Sequence, residues 1–123
     1  MGTKILLIDD DVEMSSIIKD ALVAAGYQVE IWESGLDAMK TILACKPDLL
    51  LLDVMLPGID GYTLAMQITE NDATRDLPII VLSGLEPSQA MFRRFRQVAA
   101  FMTKPFTPED LLEKIGRALA KKP

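Results

Sequence analysis

The stretch LLLLDVMLPGIDG, residues 49–61, contains the most apolar run of the chain and ends that run with a single carboxylate, Asp53. Four consecutive leucines bounded by turn residues are typical of a strand buried on both faces, as in a parallel sheet. Pro57, Gly58 and Gly61 follow, and residues of this kind favour a turn. The pattern therefore predicts a buried strand that delivers Asp53 to the end of a sheet.

Three further apolar runs share this character, and a fifth segment alternates polar and apolar residues. The alternation is typical of a strand at a sheet edge, and the weakest run suggests a second edge. Helical patterns lie between the runs, so strand and helix alternate five times. This alternation predicts one domain over residues 1–123, a doubly wound α/β fold with a parallel sheet and helices on both faces. The predicted strands are Ile5–Ile8, Gln28–Trp32, Leu49–Leu52, Ile79–Leu82 and Ala99–Met102.

The helical patterns begin and end at capping residues. The first carries apolar residues at helical spacing on one face, among them Ile17 and Ile18, and ends at Gly26, a common C-cap. Ser34 with Asp37 is typical of a capping box and predicts the start of the second helix. The later helices are predicted to begin at Gly61, to cover Pro87 to Arg96, and to begin after the cap Thr107.

The composition excludes several classes of function. The 123 residues include no histidine, which excludes histidine metal ligands, histidine-activated nucleophiles and a histidine phosphocarrier role for this chain. A net charge of −5 has the wrong sign for binding nucleic acid without a cation, so we expect a protein partner or a cation instead. Cys45 is the single cysteine and cannot form an internal disulfide. No apolar stretch approaches a membrane span and no signal sequence is present, so we expect no membrane contact and a cytoplasmic protein.

Polar residues follow four of the five predicted strands, at the edge where doubly wound sheets bind ligands. Two carboxylates about 5 Å apart repel each other by roughly 3 kcal/mol at an effective dielectric near 20, so they need a cation. Hard oxygen ligands without His or Cys favour Mg²⁺, with Mn²⁺ as the alternative. Beside such a cation a carboxylate can attack phosphorus in line, and we expect Asp53 to do so. The polar residues are Asp9, Asp10 and Asp11 after the first strand, Asp53 after the third, Ser83 after the fourth and Lys104 after the fifth.

In sequence order, ILLIDDD, LLLLDVMLPGIDGYTL, IIVLSG and FMTKPF resemble the receiver domain of two-component response regulators, over essentially the whole chain. The resemblance implies a flavodoxin-like fold with strand order 2-1-3-4-5 and five helices. It also implies that Asp53 accepts a phosphoryl group from a phosphohistidine of a histidine kinase or a histidine phosphotransfer protein. Asp9, Asp10, Asp53 and the backbone carbonyl of Met55 would hold Mg²⁺, with Asp11 outside the coordination shell.

The resemblance further implies a switch. Ser83 would turn toward the phosphoryl group, Lys104 would pair with the phosphate or with Asp53, and Phe101 would rotate inward. The surface formed by helix four, strand five and helix five would then act on an effector domain or a target protein. The alternatives are a serine that caps its strand, a solvated lysine and a fixed core phenylalanine. Phenylalanine has no hydroxyl, so the switch would work through packing only.

Two features set this chain apart within the family pattern. Gln97 and Val98 stand where a Gly-Ala pair is usual, and the interval from Ser83 to Lys104 is slightly short.

Met55 and Leu85 would flank the path of water to the phosphoryl group, and neither can hold that water by hydrogen bonding. We therefore expect a longer-lived acyl phosphate than polar residues at these two positions would allow.

Three other interpretations use the same residues. A haloacid-dehalogenase-like phosphohydrolase has an Asp-x-Asp motif, which Asp9 and Asp11 match, and would take Asp9 as its nucleophile. However, Glu13 stands where that motif has Thr or Val, and Asp53 is left without a role. A flavin-binding module would need its phosphate loop where the aspartates lie. A domain that acts without phosphorylation would not need this full set of polar residues. We therefore expect a signalling domain that promotes its own phosphorylation and dephosphorylation, not a multiple-turnover enzyme.

Overall fold

Five strands form one parallel sheet in the order β2-β1-β3-β4-β5, which confirms the predicted order and the doubly wound fold. The computed structural model describes residues 2–53, 61–83, 92 and 95–120, with Ser83 described by its backbone alone. The helix predicted over Pro87 to Arg96 lies almost wholly outside the described residues. The strands are β1 (Lys4–Ile8), β2 (Gln28–Trp32), β3 (Leu49–Asp53), β4 (Ile79–Ser83) and β5 (Val98–Thr103), and the described helices are α1 (Val12–Ala24), α2 (Ala38–Cys45), α3 (Gly61–Glu70) and α4 (Pro108–Ala120).

The apolar run of β3 fills both layers of the core. Successive side chains of a strand point to opposite faces of the sheet. Leu50 and Leu52 pack in the layer with α2 and α3, whereas Leu49 and Leu51 pack in the layer with α1 and α4. All four leucines are fully buried, as the sequence predicts. The strand is therefore held from both sides up to Asp53, its last residue.

Strand register brings the ends of β1, β3 and β5 to one edge of the sheet. Ile8 pairs with Leu52, so Asp9 and Asp53 follow at the same level on neighbouring strands. At the other side of β3, the backbone of Ser83 pairs with Thr103, the residue before Lys104. All pairs are parallel, so the carboxyl ends of the strands share this edge.

Helix α1 ends where the sequence predicts but buries a narrower face. Gly26 has a φ of 99°, and the N–H groups of Gly26 and Tyr27 donate to carbonyls of the last turn, which closes the helix with a Schellman motif. The expectation that Ile17 and Ile18 share one apolar face is wrong at Ile17, which is 61% exposed whereas Ile18 is 3% exposed. The two residues differ by one helical step, about 100°, and only Ile18 lies on the stripe that meets the sheet. No helix in the described part of the chain is long and apolar enough to span a bilayer.

The predicted capping box at the start of α2 is also wrong. The Ser34 hydroxyl accepts a hydrogen bond from the Leu36 N–H at 2.9 Å, which closes a turn before the helix. The Trp32 indole donates to the Leu36 carbonyl at 2.9 Å and holds the same turn. A helix capped by Ser34 would begin at residue 35, whereas α2 begins three residues later, at Ala38. The residue before it, Asp37, has a left-handed conformation and makes no side-chain capping bond.

Candidate active site

Three carboxylates meet at the edge where β1 and β3 end. Asp9 is fully buried, Asp53 is 4% exposed, and Asp10 lies at the surface beside them. One carboxylate oxygen from each residue lies within 4.8 Å of the others. The sequence-predicted acidic residues are therefore brought together, with two of them withdrawn from water.

The loop after β1 orients Asp9 through its backbone. The Asp9 Oδ1 accepts the Asp11 N–H at 2.9 Å, and the Asp9 N–H donates to the Trp32 carbonyl of β2 at 3.1 Å. The Asp11 carboxylate accepts the Met14 N–H at 3.1 Å and serves as the N-cap of α1. Asp11 is thus engaged in holding the helix, and Asp9 presents its second oxygen to the site.

Lys104 supplies the positive charge of the cluster. Its Nζ lies 3.2 Å from Asp9 Oδ2 and 3.5 Å from Asp53 Oδ2, and its side chain is 20% exposed. Burial alone lowers the pKa of Lys104, but the carboxylates of Asp53 and Asp9 raise that pKa by more, so the net shift is upward. The ammonium therefore stays charged and bridges residues from two strands. The Lys104–Pro105 peptide bond is cis.

The donor set suits a hard divalent cation. Three carboxylates against one ammonium leave two negative charges at the strand ends. All candidate ligand atoms of this cluster are oxygens, which Mg²⁺ prefers, and that cation usually keeps several waters when a protein binds it. Asp10 is exposed, so the cluster can be reached from solvent. The residues present therefore fit Mg²⁺.

The remaining predicted site residues lie around this cluster or outside the described residues. The backbone of Ser83 ends β4 at the same edge, one strand away from Asp53. Its side chain, Met55 and Leu85 lie outside the described residues, so their predicted roles stay predictions. Phe101 is half-buried on β5, in the layer with α2 and α3.

Phe101 belongs to an aromatic cluster that sequence reasoning did not identify. Its ring centroid lies 6.5 Å from that of Phe92, which is fully buried. Tyr62, in the first turn of α3, contacts both Phe92 and Phe95, at centroid distances of 5.9 and 5.3 Å. Tyr62 lies 39 positions before Phe101, and no local pattern in the chain relates the two.

The chain is similar to known proteins over nearly its whole length. Residues 5–116 match the family model of the response regulator receiver domain. The DNA-binding dual master transcriptional regulator RpaA of Synechocystis is 34% identical over 120 residues, which cover 97% of this chain and 49% of that protein. The phosphate regulon transcriptional regulatory protein PhoB of Pseudomonas aeruginosa is 34% identical over 98% of this chain and 53% of that protein. The chain thus spans about half the length of the curated relatives it matches.

A solved structure adds to the match. The receiver domain of the sensor histidine kinase PA1611 from Pseudomonas aeruginosa is 26% identical, with a TM-score of 0.88 over 98% of this chain and 100% of that one. That structure has a magnesium ion coordinated in its active-site cleft. With the family model covering most of the sequence and the sheet order as expected, this chain belongs to the family of response regulator receiver domains.

Proposed function

We propose that this domain is a phosphorylation-dependent signalling switch in which Asp53 accepts a phosphoryl group. The observation that carries the proposal is the Lys104 ammonium, which lies within 3.5 Å of carboxylate oxygens from two neighbouring strands. An exposed lysine would be free in water, whereas this one neutralises the residue that would receive phosphate. Transfer of a phosphoryl group depends mostly on such positioning and charge compensation.

In the proposed step, an Asp53 carboxylate oxygen attacks the phosphorus of a phosphohistidine on a histidine kinase or a histidine phosphotransfer protein. The O–P bond forms while the P–N bond breaks, and the electron pair of that bond returns to the imidazole nitrogen of the donor. Mg²⁺, held by Asp9, Asp10, Asp53 and the Met55 carbonyl, would neutralise charge on the phosphoryl oxygens, and Mn²⁺ could replace it. Lys104 would pair with the phosphate oxygens after transfer.

Ser83 and Phe101, to which the resemblance assigns the switch, would couple phosphorylation to a change elsewhere in the domain. Ser83 would turn toward the phosphoryl group, and Phe101 would move further into the layer that already holds its ring. This movement would change the surface formed by the predicted helix over 87–96, β5 and α4. The recipient would be an effector domain or a target protein, since the curated relatives are about twice as long as this chain. We do not assign nucleic-acid binding to this domain, whose net charge is −5.

Phosphorylation can be tested with acetyl phosphate and Mg²⁺, followed by intact-protein mass spectrometry. The wild-type protein should gain the mass of one phosphoryl group, and EDTA should prevent the gain. Asp53→Asn should abolish it, whereas Asp72→Asn, at an exposed aspartate on a surface ion pair, should leave it unchanged. A gain retained in Asp53→Asn would contradict the proposal, and so would a wild-type protein that never gains mass.

The same variants separate the switch from a phosphohydrolase. That enzyme would use Asp9 as nucleophile and would include Asp11 as the second aspartate of its Asp-x-Asp motif. Asp11 instead caps α1, which is an observation against this alternative. Multiple turnover of phosphate esters that is lost in Asp9→Asn and retained in Asp53→Asn would favour the enzyme over the switch.

Met55 and Leu85, the apolar residues that would flank the path of water to the phosphoryl group, predict a slow loss of phosphate. Replacing them together, by Met55→Asn and Leu85→Gln, should shorten the lifetime of the acyl phosphate, because amide groups can hold the attacking water. The lifetime is followed by mass after the donor is removed. Leu43→Gln, at an exposed leucine in the last turn of α2, at the opposite edge of the sheet, is the control and should not change the lifetime. Equal or slower loss in the double variant would refute the prediction.

A further inference from the structure

Gln97, which stands where the family usually has glycine, uses its whole side-chain amide in hydrogen bonds. Its Oε1 accepts the hydroxyl of Thr69 at 2.8 Å, and its Nε2 donates to the carbonyls of Thr74 and Leu77 at 3.0 and 2.7 Å. Because two of the partners are carbonyls, the NH₂ group must face them, and the orientation of the amide is determined. A glycine at this position could make none of these bonds.

These bonds fasten the start of β5 to two other elements. Thr69 lies near the end of α3, and Thr74 and Leu77 lie in the connection between α3 and β4. The backbone carbonyl of Gln97 also accepts the Ile79 N–H of β4 at 2.8 Å. Side chain and backbone together therefore attach the residue before β5 to a helix, a loop and a strand.

The attached residue lies between the two phenylalanines that contact each other. On one side, the Val98 N–H donates to the Phe95 carbonyl, and the Phe95 N–H donates to the Phe92 carbonyl, both at 3.1 Å. On the other side, Phe101 follows four residues later on β5. The centroids of the Phe92 and Phe101 rings lie 6.5 Å apart, and the anchored Gln97 lies between these two residues in the chain.

The ladder between β4 and β5 is interrupted between the anchor and Phe101. Val98 pairs with Ile79 and Ala100 pairs with Ile80, so Ala99 is an extra, exposed residue that interrupts the ladder. A bulge of this kind disrupts strand pairing locally. β5 is also the edge of the sheet and pairs on one side only. The anchor at Gln97 therefore acts together with the pairing of Phe101 and Val81 to position the Phe101 ring.

We propose that Gln97 is a positioning residue that holds the rings of Phe92 and Phe101 in contact and so sets the resting position of Phe101. The use of this contact in signalling rests on the proposed function. The ring position itself does not, since it can be measured on the unphosphorylated protein. A failed phosphorylation test and a failed test of this inference are therefore distinguishable.

The test uses protein labelled with 4-fluorophenylalanine and fluorine NMR. Phe101→Leu identifies the resonance of Phe101, and Phe92→Leu shows where that resonance lies without the neighbouring ring. Gln97→Glu places carboxylate oxygens against the Thr74 and Leu77 carbonyls, which repel them. It should move the Phe101 resonance toward its position in Phe92→Leu, with a changed linewidth.

Three further variants separate positioning from a general loss of stability. Gln67→Glu makes the same change at an exposed glutamine of α3 and should leave the Phe101 resonance in place. Ile18→Val destabilises the opposite layer of the core and should also leave it in place. Thr69→Val removes one of the three bonds and should give a smaller shift in the same direction, which keeps the test available if Gln97→Glu does not fold. An unchanged Phe101 resonance in folded Gln97→Glu or Thr69→Val protein would overturn the inference.

Discussion

Replacing Lys104 by methionine should make the stability of this protein strongly dependent on Mg²⁺. The substitution keeps the apolar part of the side chain and removes only the charge that separates Asp9 from Asp53. The buried carboxylates would then face each other without a cation. A metal bound to the cluster can supply the missing positive charge, so the loss should be large without metal and small with it.

The magnitude follows from the two ion pairs. At 3.2 and 3.5 Å, each attraction is about 5 kcal/mol at an effective dielectric near 20. The cost of burying the ammonium offsets much of this, and removing one partner of a buried pair typically costs 3–5 kcal/mol. Lys104 is 20% exposed, so we expect the lower end, about 3 kcal/mol of unfolding free energy in metal-free buffer. If Mg²⁺ reduces the loss to about 1 kcal/mol, linkage requires the variant to bind Mg²⁺ roughly 30-fold more tightly.

The assay is urea unfolding of wild type and variant in EDTA and in saturating MgCl₂, with a Mg²⁺ titration of each protein. Lys4→Met is the matched control, because the Lys4 ammonium donates to the Cys45 carbonyl at 3.1 Å and lies at the start of β1, the opposite edge of the sheet. Its loss of stability should be the same in both buffers. Equal losses for Lys104→Met in EDTA and MgCl₂ would refute the metal site beside Lys104.

Three other outcomes follow from the structure. Gly26→Ala should lower the unfolding free energy by about 1 kcal/mol in urea, because the φ of 99° disfavours any Cβ although no atom lies within 4 Å of it. Burial, with a hydrogen bond to Glu30, raises the pKa of Cys45 from 9.0 to about 11. Near pH 8 the thiolate fraction of Cys45 should therefore be about 100-fold lower than that of an ordinary cysteine, so iodoacetamide should react slowly until urea unfolds the chain. The contribution of Cys45 to the unfolding free energy should be lost as pH rises from 9.0 to about 11. Leu50→Ala should cost about 3 kcal/mol and Leu36→Ala under about 0.5 kcal/mol, since the first leucine is fully buried and the second is 63% exposed.

The strands were predictable because each apolar run is a local property of the chain. Leu49 to Leu52 are buried on both faces of the sheet, and Asp53 follows where the run stops. The end of α1 was predictable because its left-handed residue is a glycine, Gly26. The start of α2 was not, because the Ser34 hydroxyl accepts a hydrogen bond within a turn and does not cap the helix. Ser34 and Asp37 have the spacing of a capping box, but the indole of Trp32 ties the loop into another turn.

The sequence by itself determined which segments become strands, that they lie in parallel, and that acidic residues and a lysine follow them. Only the tertiary structure decided which atoms meet. Lys104 pairs with Asp9 across 95 positions of the chain, and Gln97 bonds to carbonyls 20 and 23 residues away. Such contacts depend on strand register, which at β5 includes the extra residue Ala99. A slip of one position would change every pairing along a strand. Local periodicity carries no information about that register, so these contacts required the folded chain.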